Sequence, residues 1–280
     1  MDAVILLNKP AGMTSFDAVA KCRRIFHERK IGHTGTLDPE ASGLMIILLG
    51  KYTKLLPYCV KNHKAYQATL KLGEMTDTED IWGTIINTKT PSIHTEAEID
   101  NAVQSLTGDI LQVPPMYSAL KKDGKKLYEY ARQGIEIERE ARPVHISTLE
   151  VEKINETNYR MNAVVSSGTY IRTLITDFGK QLDELAIMSS LIRTKIEHLS
   201  LKDACTFEDL ESGVSFLSPI QVIDPTYKIV ETDRVVDIKN GKRVKLDIQD
   251  PQVIFASNGE LLAAYALQED GLYHCLRGLF

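Results

Sequence analysis

The apolar pattern of this chain predicts an α/β (α+β) protein: a mixed, largely antiparallel sheet with flanking helices, plus a small C-terminal β module. Three observations carry that expectation. Residues 44–49 (Leu-Met-Ile-Ile-Leu-Leu) form an unbroken apolar run, the signature of a strand buried on both faces. Residues 64–72 alternate, with Tyr66, Ala68, Leu70 and Leu72 on one face and Lys64, Gln67, Thr69 and Lys71 polar. From about Tyr227 onward the chain turns to short strands punctuated by Asn240-Gly241 and Asn258-Gly259, which read as hairpin turns.

The remaining elements follow in order. Residues 1–7 read as a first strand, because they lack a charged leader and a cleavage site. Thr14 and Asp17 make a capping pattern that opens a helix, with Phe16, Val19, Cys22 and Phe26 as its apolar stripe and Arg23 and Arg24 on the other side. A glycine-rich loop, 30–43, precedes the buried strand. Thr95 and Glu98 open a second helix that runs through Ile99, Ala102, Val103 and Leu106 to Gly108. Residues 144–151 and 159–166 read as paired strands joined through 155–158. Past Gly168, a helix places Ile171, Leu174, Ile175, Phe178 and Leu182 on one stripe. Residues 113–143 lack sheet periodicity and read as an excursion from the core. The expected division is a main domain at 1–228, containing that excursion, and a module at 229–280.

At 280 residues the chain has room for one sizeable domain with such a module. No apolar run approaches the ~20 residues that span a bilayer, so no membrane partner is expected. Cys22, Cys59, Cys205 and Cys275 are scattered without a C-x-x-C pair. That argues against a disulfide framework or a zinc site and for a reduced, cytoplasmic setting. Net charge is −5, yet residues 1–72 carry +6 and residues 73–280 carry −11. A basic N-terminal third is either a solvated helix face or a footprint for phosphates. The excursion adds seven cations (Lys121, Lys122, Lys125, Lys126, Arg132, Arg139 and Arg142) against five acids, interleaved with Tyr117, Tyr128 and Tyr130. This pattern suits RNA or an ordinary charge-paired surface helix.

The densest chemistry lies in 30–43, Lys-Ile-Gly-His-Thr-Gly-Thr-Leu-Asp-Pro-Glu-Ala-Ser-Gly. Three glycines and Pro39 hold one carboxylate, Asp38, in a tight turn. A carboxylate so held suits a nucleophile or a general base, and an aspartate before proline also commonly serves only to initiate a turn. By the same reasoning Tyr66 reads as a core tyrosine, His33 as a turn residue and Arg172 as a surface arginine. A cation in the first turn of a helix is nevertheless unfavourable, so a fixed anionic partner is the physically sensible expectation for Arg172.

Several ordered motifs decide among these readings. Residues 8–15 (Asn-Lys-Pro-Ala-Gly-Met-Thr-Ser), the loop 32–43, Lys64-Ala65-Tyr66, Asp77-Thr78-Glu79-Asp80 with Gly83, residues 114–121 (Pro-Pro-Met-Tyr-Ser-Ala-Leu-Lys) and Gly168-Thr169-Tyr170-Ile171-Arg172 stand in the order found in TruB-type tRNA pseudouridine synthases. Over roughly residues 4–220 the chain resembles that family, and the resemblance implies its sheet type and its activity: isomerisation of uridine to pseudouridine in tRNA, at uridine-55 of the TΨC loop. It implies Asp38 as the catalytic aspartate, Arg172 as its paired arginine and Tyr66 as the tyrosine stacking on the target uracil. It places His33 against the displaced RNA, and Tyr170 and Leu191 in the base pocket. Lys9 belongs to the opening motif in a structural or phosphate-directed role, while Arg193 and Lys121 join the RNA-binding set. The segment 113–143 matches a thumb-like loop that closes on the RNA stem-loop, and 229–280 resembles a shortened PUA-type RNA-binding module.

The departures fall between 183 and 200. The family's double arginine is Ile192-Arg193 here, its Gly-Gly is Asp183-Glu184, and its Gly-x-Phe is His198-Leu199-Ser200. Asp38, Tyr66 and Arg172 are untouched. The implied chemistry has no net redox change, so neither a cofactor nor a metal is expected, and the partner is tRNA without a guide RNA, bound by a monomer. The rival expectation is a tRNA-binding or tRNA-folding chaperone whose turnover is secondary.

Overall fold

The apolar run at 44–49 does become a buried strand, and the local structure builds outward from it. A computed structural model describes residues 1–280 and resolves them into two compact units, Met1–Lys61 with Leu199–Phe280, and Asn62–His198. In the first unit, β1 (Ala3–Lys9) precedes helix α1 (Ser15–Phe26), followed by β2 (Ile31–Thr34) and β3 (Ser42–Leu49). β3 pairs antiparallel with β1, from Ala3↔Leu49 to Lys9↔Gly43, and with β2, from Ile31↔Leu49 to Thr34↔Ile46. Every residue from Gly43 to Leu49 is buried, so both faces of β3 are core.

Helix α1 starts as expected, at a capping box. The Asp17 amide donates to Thr14 Oγ1 at 3.0 Å, and the Thr14 amide donates to Asp17 Oδ2 at 3.0 Å. Its buried face differs from the one expected. Ser15, Ala18, Val19 and Cys22 face inward, at i, i+3, i+4 and i+7, while Phe16 is 67% exposed. The polar Ser15 takes the inward position because its hydroxyl has backbone partners there, which rotates the stripe by about one residue.

The second unit contains β4 (His63–Leu72), β5 (Glu74–Thr76), β6 (Ile85–Thr88), α2 (Glu96–Ser105), β7 (Gly108–Gln112), β8 (Lys121–Lys122), β9 (Lys125–Lys126), α3 (Leu127–Ala131), β10 (Arg142–Lys153), β11 (Asn158–Ser166), α4 (Ile171–Gln181) and β12 (Ala186–Ile196). Its sheet runs β12-β4-β11-β10-β7, antiparallel at every step. β4 alternates as its sequence implies, with Ala68, Leu70 and Leu72 buried. Helix α4 packs on β12. The approach is close at Gly179, where a Cβ would stand 2.6 Å from that of Ala186. The excursion is more ordered than its period suggests. Asp123 and Gly124 take positive φ (53° and 81°) and turn β8 into β9, with Lys121↔Lys126 and Lys122↔Lys125 in register.

The first unit resumes with β13 (Leu199–Ser200), α5 (Phe207–Ser212), β14 (Lys228–Glu231), α6 (Val235–Lys239), β15 (Gln252–Ser257), β16 (Glu260–Leu267) and β17 (Tyr273–Gly278). The last four strands form a separate sheet in the order β14-β15-β16-β17, with one parallel step, β14 to β15. Val253, Phe255, Leu262, Tyr265 and Tyr273 pack in its core with Ile238 of α6. The Tyr265 hydroxyl donates to the carbonyls of Ile238 and Lys242, at 3.1 and 3.2 Å, and burial pushes its pKa up to about 12. Asn258-Gly259 is the β15–β16 hairpin turn, with φ of 50° and 80°. Asn240-Gly241 is not a hairpin: Asn240 caps the C-terminus of α6, and Gly241 takes φ 69°. The preference of Asn-Gly for positive φ also ends helices, so the dipeptide alone does not separate the two. No helix is long and apolar enough to cross a membrane.

Candidate active site

Asp38 sits half-buried on the loop between β2 and β3, and that loop is pinned by backbone contacts on both sides of it. Leu37 anchors it from inside, 4% exposed. The Ser15 hydroxyl donates to Leu37 O at 3.2 Å and accepts from Leu37 N at 2.9 Å. The Ala41 amide donates to Asp38 O at 3.1 Å, closing a turn with Pro39 at its second position. Pro39 O accepts from the Gly12 amide at 3.0 Å and from Lys9 Nζ at 3.1 Å. Lys9 is fully buried, and its ammonium also reaches the carbonyls of Pro10 (2.8 Å) and Met13 (2.7 Å). These contacts tie the opening motif to the aspartate loop. Gly35, at φ 69°, supplies the left-handed step that lets the loop leave β2. His33 is on β2, opposite Ile47, and half-buried.

Replacing Ser15 by Ala removes both bonds to Leu37 at a buried position. Stability is expected to fall by about 1–3 kcal/mol. Urea unfolding checks this, and an unchanged midpoint would show that Leu37 is held by packing alone.

In the second unit, one face of β4 brings together Tyr66, Leu191 and Arg193. Tyr66, half-buried, stands in register opposite Ala163 of β11 on one side and Arg193 of β12 on the other. Leu191 is two positions along β12, opposite Ala68. Directly opposed residues in antiparallel strands share a face, with Cβ atoms ~4.5–5.5 Å apart. Tyr66, Arg193 and Leu191 therefore form one patch, in which Arg193 is 1% and Leu191 8% exposed.

The N-terminus of α4 carries the other pair. Tyr170 is its N-cap, and Gln112 fixes that backbone twice: the Tyr170 amide donates to Gln112 Oε1 at 2.8 Å, and Gln112 Nε2 donates to Tyr170 O at 3.1 Å. Arg172 is 6% exposed, so a surface arginine is ruled out. Its Nη1 donates to Thr78 O at 2.8 Å and its Nη2 to Tyr117 O at 2.9 Å. The guanidinium thereby ties α4 to the 77–84 turn and to the base of the excursion. Beside it, the Thr173 hydroxyl donates to Glu79 Oε2 at 2.8 Å. Burial pushes the Glu79 carboxyl above its usual range, against the opposing pull of Thr173 and Arg172. Lys121 is exposed on β8.

Ser15, Gln112, Thr78, Glu79 and Tyr117 were not singled out as site residues by their chemistry in the sequence. Their contributions are mostly backbone carbonyls or single amides, which carry no compositional signal. All four cysteines are free, and burial pushes the Cys22 and Cys59 thiols up to about 12, which makes them poor nucleophiles. No group of three or more His, Cys, Asp or Glu residues is placed to hold a metal ion. What the arrangement offers chemically is a carboxylate on a fixed loop, and a tyrosine and a buried guanidinium on a rigid sheet and helix end.

Comparison with known proteins completes the description. Residues 23–171 match the model of the TruB family pseudouridylate synthases, N-terminal domain. The tRNA pseudouridine synthase B of Oceanobacillus iheyensis is 40% identical over 280 residues, covering 95% of this chain and 92% of that protein. The protein of the same name from Mesoplasma florum is 36% identical, covering 98% of this chain and 97% of its own. Among solved structures, a chain of a Cbf5-Nop10-Gar1 complex superposes with a TM-score of 0.72 over 99% of this chain and 85% of that one. At 24% identity, that likeness concerns the fold.

Proposed function

The chain belongs to the TruB family of pseudouridylate synthases, and from that premise we propose that it converts uridine-55 in the TΨC loop of tRNA to pseudouridine, without a guide RNA, using Asp38 as the catalytic carboxylate. The observation that carries the residue assignment is the pinned loop: the family's aspartate motif is intact, and its aspartate is held through the backbone by Ser15, Lys9 and Gly12.

The reaction breaks the N1–C1′ glycosidic bond, turns the uracil and joins C5 to C1′, while the C5 proton passes to solvent and the freed N1 takes up a proton in its place. Nothing is oxidised or reduced. The demand on the protein is a carboxylate beside the sugar, a surface to hold the loose base, and exclusion of water that would hydrolyse the intermediate. Asp38 supplies the first. Attack at C1′, addition to C6 and elimination through a glycal all start from that carboxylate. Tyr66 supplies the second. Extruding the uridine costs a few kcal/mol, and stacking of ~1–3 kcal/mol on an aromatic ring offsets part of it. Tyr170 and Leu191 line the pocket, Arg172 stands at the position of the family's paired arginine, and His33 receives the displaced RNA. Residues 1–228 act as the catalytic part, with 113–143, Lys121 included, as a thumb on the stem-loop. Residues 229–280 act as an RNA-binding module.

Because C5 gives up its hydrogen once per turnover, unmodified tRNA tritiated at uridine C5 reports the reaction. The expected result is release of one tritium per tRNA. Tight binding without release would leave the rival reading, a tRNA-folding chaperone.

A further inference from the structure

Phe16 occupies the first turn of α1, one residue after the hydroxyl that grips Leu37, with its ring 67% exposed. Burying a phenylalanine stabilises a fold, and this ring forgoes most of that. Residues 16, 20 and 23 share one helix face. On it, the Arg23 guanidinium lies over the Phe16 ring at 5.8 Å from its centre, within range of cation–π attraction, and Ala20 adds no bulk between them. Arg24, Arg29 and Lys30 are exposed further along the same helix and the turn after it. The neighbouring carboxylates are already engaged. Asp17 serves the Thr14 cap, and Glu28 binds the N-terminal ammonium and the Lys30 amide.

An exposed ring among cations is the combination with which proteins hold single-stranded nucleic acid: the ring takes a base, the cations its phosphates. A protein partner fits less well. Phe16 is the only large apolar residue of α1 left exposed, and the exposed Phe216 lies at the other end of the helix, against Phe26, whereas protein-binding surfaces present contiguous apolar patches of several hundred Å².

We propose that this edge of α1 is a second RNA contact, separate from the base pocket, in which Phe16 stacks an unpaired nucleobase of the substrate and Arg23 and Arg24 meet the adjoining phosphates. The assignment rests on the tRNA reading above and deepens it. Since Ser15 ties the first turn of α1 to Leu37, a base seated on Phe16 fixes the RNA against the loop of Asp38.

The test titrates the full chain into fluorescein-labelled unmodified tRNA transcript and follows anisotropy over a range of salt. Phe16→Leu keeps an apolar side chain at an exposed site and removes the π-face. It is expected to weaken binding about tenfold with an unchanged salt slope. Phe16→Tyr is expected to bind within about twofold of the parent, because the ring is retained. Arg23→Gln is expected to weaken binding and to reduce the slope of log K against log salt by about one. Phe16→Leu binding as tightly as the parent would overturn this contact and leave the tRNA reading standing. A parent protein that does not bind tRNA would overturn both.

Discussion

Asp38→Asn is expected to lower turnover roughly a thousandfold or more while leaving tRNA affinity within about threefold. The two effects separate for a structural reason. The loop is held through Leu37, Pro39 and Ala41 by backbone contacts that do not involve the Asp38 side chain, so the isosteric amide leaves its course intact. Phosphate contacts elsewhere supply most of the affinity for RNA. The amide cannot take the carboxylate's part at the sugar. Single-turnover rates with saturating enzyme, beside filter-binding affinities, check both halves. Activity near the parent level would mean that another group performs the chemistry.

Arg172→Ala is expected to cost both stability and activity. Arg172 is 6% exposed and supplies hydrogen bonds to the part-buried carbonyls of Thr78 and Tyr117, which would be left without that donor. A loss of about 2–4 kcal/mol follows, read from the urea midpoint. Activity measured where the variant is still folded should fall by more than about tenfold, because α4 loses its tie to the 77–84 turn and to the base of the excursion. Arg172→Lys retains the charge but not the planar fork, so it should recover only part of the stability. Full recovery with lysine would show that charge alone matters at this position.

Much of the scaffold was legible because it follows from periodicity and capping, which are local. The buried run of β3, the alternation of β4, and the boxes at Thr14–Asp17 and Thr95–Glu98 all formed as their residue patterns imply. The failures are equally physical. Phe16 fits the period of α1 but faces outward, because Ser15 has backbone partners inside and takes the inward place. Asn240-Gly241 ends a helix where a hairpin was expected, since both structures use positive φ. The Asp123-Gly124 turn was a readable hairpin signal, hidden by flanking lysines that give no apolar alternation. Tyr66 and Arg172 stood out only through the ordered motifs. Nothing in their own neighbourhoods distinguishes a pocket tyrosine from a core one, or shows that an arginine off the apolar stripe will be buried against two carbonyls.

The central claim is that this chain makes pseudouridine at one tRNA position and that Asp38 is required for it. Unmodified tRNA transcript is incubated with the protein, treated with carbodiimide and mapped by reverse transcription. The expected result is a single new stop reporting pseudouridine at uridine-55, absent after incubation with Asp38→Asn. A stop at another uridine, no stop at all, or the same stop with the variant would contradict the account.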